Sequence, residues 1–123
     1  VHVTVKADPM CERDGYDVTI HVPITFSQAV LGDDVEVPTV DGRIVQHIPE
    51  GTQSGTKFRL RGQGIQYLNG RGRGDQYVIV DVEIPKKVTR AQREALKAFE
   101  DSMKEDNYEK RKGFFKNLRD RFS

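Results

Sequence analysis

Asp34 to Pro49 reads "DVEVPTVDGRIVQHIP", and this stretch decides the fold. Val35 and Val37 stand two apart before the Asp41-Gly42 pair, and Ile44, Gln46 and Ile48 follow it with the same spacing. A period of two places alternate side chains on one face of a strand. Asp-Gly between two such runs is a strong short-range turn signal, so the chain is predicted to fold back there as a β-hairpin.

Toward the N-terminus, "TFSQAVLG" has Thr25 and Gln28 at capping-box spacing and Gly32 where a C-terminal cap belongs. This predicts a helix of one or two turns. Before it, "YDVTIHV" puts Tyr16, Val18, Ile20 and Val22 on one side of a strand that Pro23 is expected to stop. "VHVTVKA" shows the same period, with Val1, Val3 and Val5 against His2, Thr4 and Lys6, and a turn-like "DPMCERDG" separates the two strands. Toward the C-terminus, a turn-rich "EGTQSGT" leads to "KFRLR", with Phe58 and Leu60 on one face, and then to "QYVIVDVEI". Short strands with a turn about every ten residues and one short internal helix predict a mainly β fold, a small β-sandwich.

At Pro85 the pattern changes. "KKVTRAQREALKAFEDSMKED" carries Thr89 and Gln92 at capping-box spacing, then Leu96, Phe99 and Met103 at i, i+3 and i+7, which predicts an amphipathic helix with a narrow apolar stripe. That stripe needs a surface to cover it, either its own sandwich or another subunit. "NYEKRKGFFKNLRDRFS" opens with a charge run and ends with Phe115, Leu118 and Phe122 at helical spacing. Docking on its own domain or on a dimer mate is expected over a membrane surface, because so few apolar anchors bind lipid weakly.

At 123 residues the chain is about the size of one domain. Twenty basic against nineteen acidic residues give a formal charge of +1, which excludes a global field attracting nucleic acid or an anionic membrane. With 36% hydrophobic and 32% charged residues, a soluble and cytoplasmic protein with a thin core is expected. No apolar run approaches the roughly 20 residues that cross a bilayer. Cys11 is the single cysteine, so an intrachain disulfide is impossible and a Cys-based zinc site would lack ligands. Val1 stands inside an alternating strand pattern, so the segment is expected to belong to a longer chain.

Catalytic signals are missing. His2, His21 and His47 fall at polar positions of the alternation and share no metal-ligand spacing, and no nucleophile with a base or paired carboxylates can be picked out. The glycines of "RGQGIQYLNGRGRGD" lack the Lys-Ser/Thr end of a phosphate-binding loop. Arg59, Arg61, Arg71 and Arg73 allow a single-stranded RNA-binding reading, although an Arg-Gly tract for RNA runs longer and is interleaved with aromatics. Arg73-Gly74-Asp75 matches an adhesion tripeptide, but three residues match easily by chance. Gly70, Gly72 and Gly74 are expected to supply positive φ in a flexible connector between two strands, with Asp75 bonding backbone amides at the start of the second.

Taken together, "VPITFSQAVLGDDVEVPTVDG", "PEGTQSGTKFRLRGQG" and "LNGRGRGDQYVIVDVEIP" resemble the C-terminal part of the DnaJ family, co-chaperones of DnaK-type chaperones. At the start, Pro9, Arg13 and Gly15 keep the family's pattern, while Asp8 replaces a histidine and Cys11 an aromatic. The resemblance implies the last strand of a preceding sandwich over residues 1–7, a second sandwich over 8–86, and a dimerisation helix and tail over 87–123. It implies a non-enzymatic segment that holds unfolded client polypeptides and forms a homodimer through Leu96, Phe99 and Met103. DnaK-type chaperones would be engaged through the full-length parent, with neither nucleic acid nor membrane as partner. No cofactor is expected in this segment, zinc belonging only to the upstream part of the parent. Laying this sandwich on the family's first one puts Ile20, Val22, Val35, Val37 and Tyr77 at positions of a client groove. The alternation fits an exposed groove and a buried core equally well. A purely structural dimerisation domain is the remaining alternative.

Overall fold

A computed structural model describes residues 11–122, so the strand expected over residues 1–7 and the junction residues Asp8 and Pro9 lie outside the described residues. The chain divides into two compact units, Val1–Ile84 and Pro85–Ser123.

The first unit runs β1 (Cys11–Asp14), β2 (Asp17–Ile24), α1 (Phe26–Leu31), β3 (Asp33–Thr39), β4 (Gly42–Ile48), β5 (Lys57–Leu60) and β6 (Gln76–Val82). β3 and β4 form the predicted hairpin, with Val37 opposite Ile44 and Val35 opposite Gln46. Thr39 pairs with Gly42, so Val40 and Asp41 make the turn and Gly42 opens β4. The other strands form one sheet in the order β1-β2-β6-β5, with β2 and β6 parallel and the two outer pairs antiparallel. Inward side chains of both sheets meet in one core: Ile20, Ile24, Val78 and Val80 from the larger, Val37 and Ile48 from the hairpin, Ala29 from α1. This is the two-layer packing of a small sandwich. Gln76, buried among them, donates from Nε2 to the Pro38 carbonyl at 2.7 Å and so ties β6 to β3 across the layers.

α1 forms as its ends predict. Thr25 Oγ1 accepts from the Gln28 N–H at 3.0 Å while the Thr25 N–H donates to Gln28 Oε1 at 2.9 Å. At the other end the Gly32 N–H donates to Gln28 O at 2.9 Å. Gly32 has φ +78, and a Cβ on it would meet Ile48 O at 2.9 Å, so both conformation and space call for glycine.

Two local expectations are corrected. Pro23 does not stop β2, which continues to Ile24. The β1 ladder ends at Ile20, so Pro23 needs no N–H on that side among the described residues. The "CERD" of the supposed link is itself a strand, closed onto β2 by a tight turn at Gly15, φ +61.

The second unit holds α2 (Arg90–Ser102), a 3₁₀ turn at Glu105–Asn107 and α3 (Glu109–Phe122). Thr89 caps α2 with a full capping box: Gln92 N–H to Thr89 Oγ1 is 3.2 Å and Thr89 N–H to Gln92 Oε1 is 2.7 Å. Met103 lies just past the helix as its C-cap. Neither α2 nor α3 contains a buried residue.

Candidate functional site

Of the five groove positions, Ile20 and Val37 are core residues, 5% and 1% exposed. They support a surface rather than form one. Val22 and Val35 point the same way from β2 and β3 but are only half buried, and Cys11 and Ile44 share that condition, all packed against the core cluster. At these positions, as at Phe58, Leu60 and Val82, the apolar interior reaches solvent along a rim of the sandwich. Among the described residues, β3 and β4 pair only with each other, so each has an outer edge without a strand partner. Ile44 was legible as a candidate from the same alternation that picked out Val35, whereas Cys11 lay in a stretch read as a turn.

Tyr77 does not join this group. Ile20 pairs with Val78, so Tyr77, one residue earlier, lies on the opposite face of the sheet beside Thr19 and Arg59. There the Lys57 Nζ sits 4.4 Å from the centre of its ring. A period of two cannot put residues 77 and 78 on one side.

The Arg-Gly loop between β5 and β6 is an ordered hairpin, not the flexible connector expected. Gln66 bridges Arg73, the Gly64 N–H donates to Gly74 O at 2.9 Å and the Gly74 N–H to Ile65 O at 2.9 Å. Ile65 N–H and Tyr16 O, 2.8 Å apart, fasten the hairpin to the turn between β1 and β2. Gly70 and Gly72 do adopt positive φ, but Gly74 serves a different need: a Cβ there would collide with the Tyr16 carbonyl. Asp75 is the latch. Its carboxylate accepts the Gly62 N–H at 2.9 Å and Arg59 Nε at 2.8 Å, and its own N–H donates to Asp17 Oδ1 at 2.7 Å. The Gly62 N–H first, and the Arg59 guanidinium second, hold the Asp75 carboxyl below its ordinary pKa. The same pair raises Arg59. Arg73 is paired with Asp41 of the β3–β4 turn. Two of the four arginines of the RNA reading are therefore engaged by carboxylates of the chain itself.

In the second unit Leu96 and Phe99 are exposed on α2. Met103 lines a cleft of about 320 Å³ together with Tyr108 and Phe115, with Arg111 and Arg119 from α3 also lining it. Among the described residues no three His, Cys, Asp or Glu side chains gather as metal ligands, and no helix is long and apolar enough to cross a membrane.

Two family models match this chain: the DnaJ C terminal domain over residues 1–85 and the Chaperone protein DnaJ C-terminal region over residues 91–123. The Chaperone protein DnaJ of Ruminiclostridium cellulolyticum is 50% identical over 122 residues, 99% of this chain and 32% of that protein. Those of Acetivibrio thermocellus and Clostridioides difficile are 48% and 49% identical over 120 residues, 98% of this chain and 31% of theirs. The chain spans about a third of the length of the curated relatives it matches. On a sandwich followed by a capped helix, with both parts matched in order, the chain belongs to the DnaJ chaperone family and corresponds to its C-terminal region.

Proposed function

We propose that this segment holds extended, non-native polypeptide and does so as a homodimer, serving a DnaK-type chaperone through its full-length parent and catalysing nothing itself. The observation that carries the reading is the set of half-buried Val22, Val35 and Ile44, apolar side chains on inward faces that the described residues leave partly uncovered, with the outer edges of β3 and β4 unpaired among those residues. A client segment can add to such an edge through its backbone and seat alternate side chains on the rim. One site of this kind binds weakly. Joining two through Leu96, Phe99 and Met103 raises avidity by about 10² to 10⁴ when one client spans both.

The engaged state of Arg59 and Arg73 counts against the RNA alternative. Suppression of aggregation of an unfolded protein tests the proposal, comparing wild type with Val22→Ser, Val35→Ser. These rim positions tolerate a polar side chain better than Ile20 or Val37, whose substitution would unfold the sandwich. Loss of suppression in the folded variant supports the site. Undiminished suppression refutes it, and no suppression by wild type leaves a dimerisation domain.

A further inference from the structure

We propose that β5 is a separate docking edge, one that takes an extended acidic segment of another protein in which carboxylate and apolar residues alternate. The inference goes beyond client holding and does not rest on Val22, Val35 or Ile44. β5 is the last strand in the order β1-β2-β6-β5, so among the described residues its outer side has no strand partner. The Val80 N–H donates to Thr56 O at 3.0 Å, and hydrogen-bonded pairs in an antiparallel ladder recur at every second residue. Phe58 and Leu60 therefore bond to β6, opposite Val78 and Gln76, and the backbone groups of Lys57 and Arg59 face the open side.

Charge chooses the occupant. The Lys57 and Arg59 side chains lie on the outer face of the sheet, opposite to Phe58 and Leu60, and Arg61 follows two positions on. Side chains two apart on a strand repeat at about 7 Å, which is also the spacing of carboxylates on alternate residues of an added strand. On its other face that strand sets apolar side chains beside Phe58 and Leu60, which are half buried against the core. Asp75, bound to Arg59, is one carboxylate against three cations, and Asp81, further along β6, turns to His21 at 2.8 Å. Of the other edges open among the described residues, β3 carries Asp33, Asp34 and Glu36, and β1 carries Glu12 and Asp14 beside Arg13. On β4, Arg43 and His47 each face a carboxylate of β3. An acidic strand therefore suits β5 and is repelled elsewhere.

Charged side chains on an edge strand also serve to repel other strands. Here two of the cations are held in place: Lys57 Nζ sits 4.4 Å from the centre of the Tyr77 ring, and Arg59 Nε and Nη2 lie 2.8 and 2.6 Å from the Asp75 carboxylate. A guard gains nothing from being held, whereas a docking site gives up less side-chain freedom on binding. The same Lys57 occupies the ring of Tyr77 on which a nucleobase would stack, so a protein strand fits this edge better than a single-stranded nucleic acid.

Fluorescence anisotropy of a labelled peptide of alternating glutamate and valine, titrated with the 123-residue chain, tests this. The peptide should bind, and one of the same composition with its glutamates and valines in two blocks should bind about tenfold more weakly or worse. Lys57→Glu, Arg61→Glu should raise Kd by about tenfold or more with circular dichroism unchanged, whereas Val22→Ser, Val35→Ser should leave Kd as it is. The Lys57 and Arg59 amides should exchange more slowly in the complex. Equal affinity for the block peptide, or no protection of those amides, overturns strand addition. Affinity lost in the Val22, Val35 variant and kept in the charge variant puts the peptide on the client rim and overturns the inference. No binding by the folded wild type leaves the cations as guards of the edge and overturns it as well. Tighter binding of oligouridylate than of the peptide, lost in the charge variant, overturns it in favour of nucleic acid.

Discussion

Gly64→Ala should be among the most damaging single-methyl changes in the first unit. Gly64 does not have positive φ, so conformational strain is not the reason. A Cβ there would lie 2.6 Å from Gly74 C and from Tyr16 O, and 2.7 Å from Asp75 O. All three are backbone atoms, and no rotamer change moves them aside. Relief requires the hairpin to lift from the β1–β2 turn, which weakens the Gly64 to Gly74 and Ile65 to Tyr16 hydrogen bonds, 2.9 and 2.8 Å. Overpacking costs about 1–3 kcal/mol and each hydrogen bond about 1 kcal/mol, for a loss of about 3–5 kcal/mol. Gly15→Ala is the matched contrast: φ is +61, but a Cβ would meet nothing within 4 Å. Backbone strain alone costs it about 1–2 kcal/mol. Urea unfolding followed by far-ultraviolet circular dichroism reads both, and Gly64→Ala should unfold at clearly lower urea with the same slope. If the two variants fall within 1 kcal/mol of each other, the hairpin is not the tightly docked element described.

Two further perturbations probe the latch and the helix cap. Asp75→Asn keeps the shape but removes the charge that Gly62 and Arg59 bind. A carboxyl held below its ordinary 3.8 adds stability above that value and loses it as pH falls through the folded pKa. Wild type should therefore be the more stable at pH 7, with the difference steady to about pH 5 and shrinking only below the ordinary carboxylate value; a difference that grows on acidification would contradict the latch. Thr89→Ala removes the acceptor for the Gln92 N–H and should destabilise α2 by about 1 kcal/mol, seen as faster amide exchange over its first turn. Unchanged exchange there would mean the cap is idle.

What the sequence revealed and concealed follows the range of the interactions. The hairpin around Asp41-Gly42, the Thr25 and Thr89 capping boxes and the Gly32 cap depend on residues a few positions apart, and each was legible. The parallel pairing of β2 with β6 joins Val18 to Gln76 across the whole sandwich, and no local pattern encodes it. Alternation assigned Ile20, Val22, Val35 and Val37 to faces correctly but could not say how deeply each is covered, since depth depends on which strand lies opposite. Tyr77 was grouped with them by likeness to another sandwich, against its own parity with Val78. The glycines of the Arg-Gly loop suggested freedom, whereas Gly64 and Gly74 are there for close approach to Tyr16, a contact made from far along the chain.

Methyl spectra of the selectively labelled chain, titrated with an unfolded client peptide, test the central claim most directly. The account predicts that the Val22, Val35 and Ile44 methyls shift or broaden, while Val45 on the outer face of the hairpin and Leu68 at the tip of the Arg-Gly loop stay unchanged. Perturbation confined to Val45, Leu68 or the Ile79 methyls beside Tyr77, with the rim silent, would contradict it.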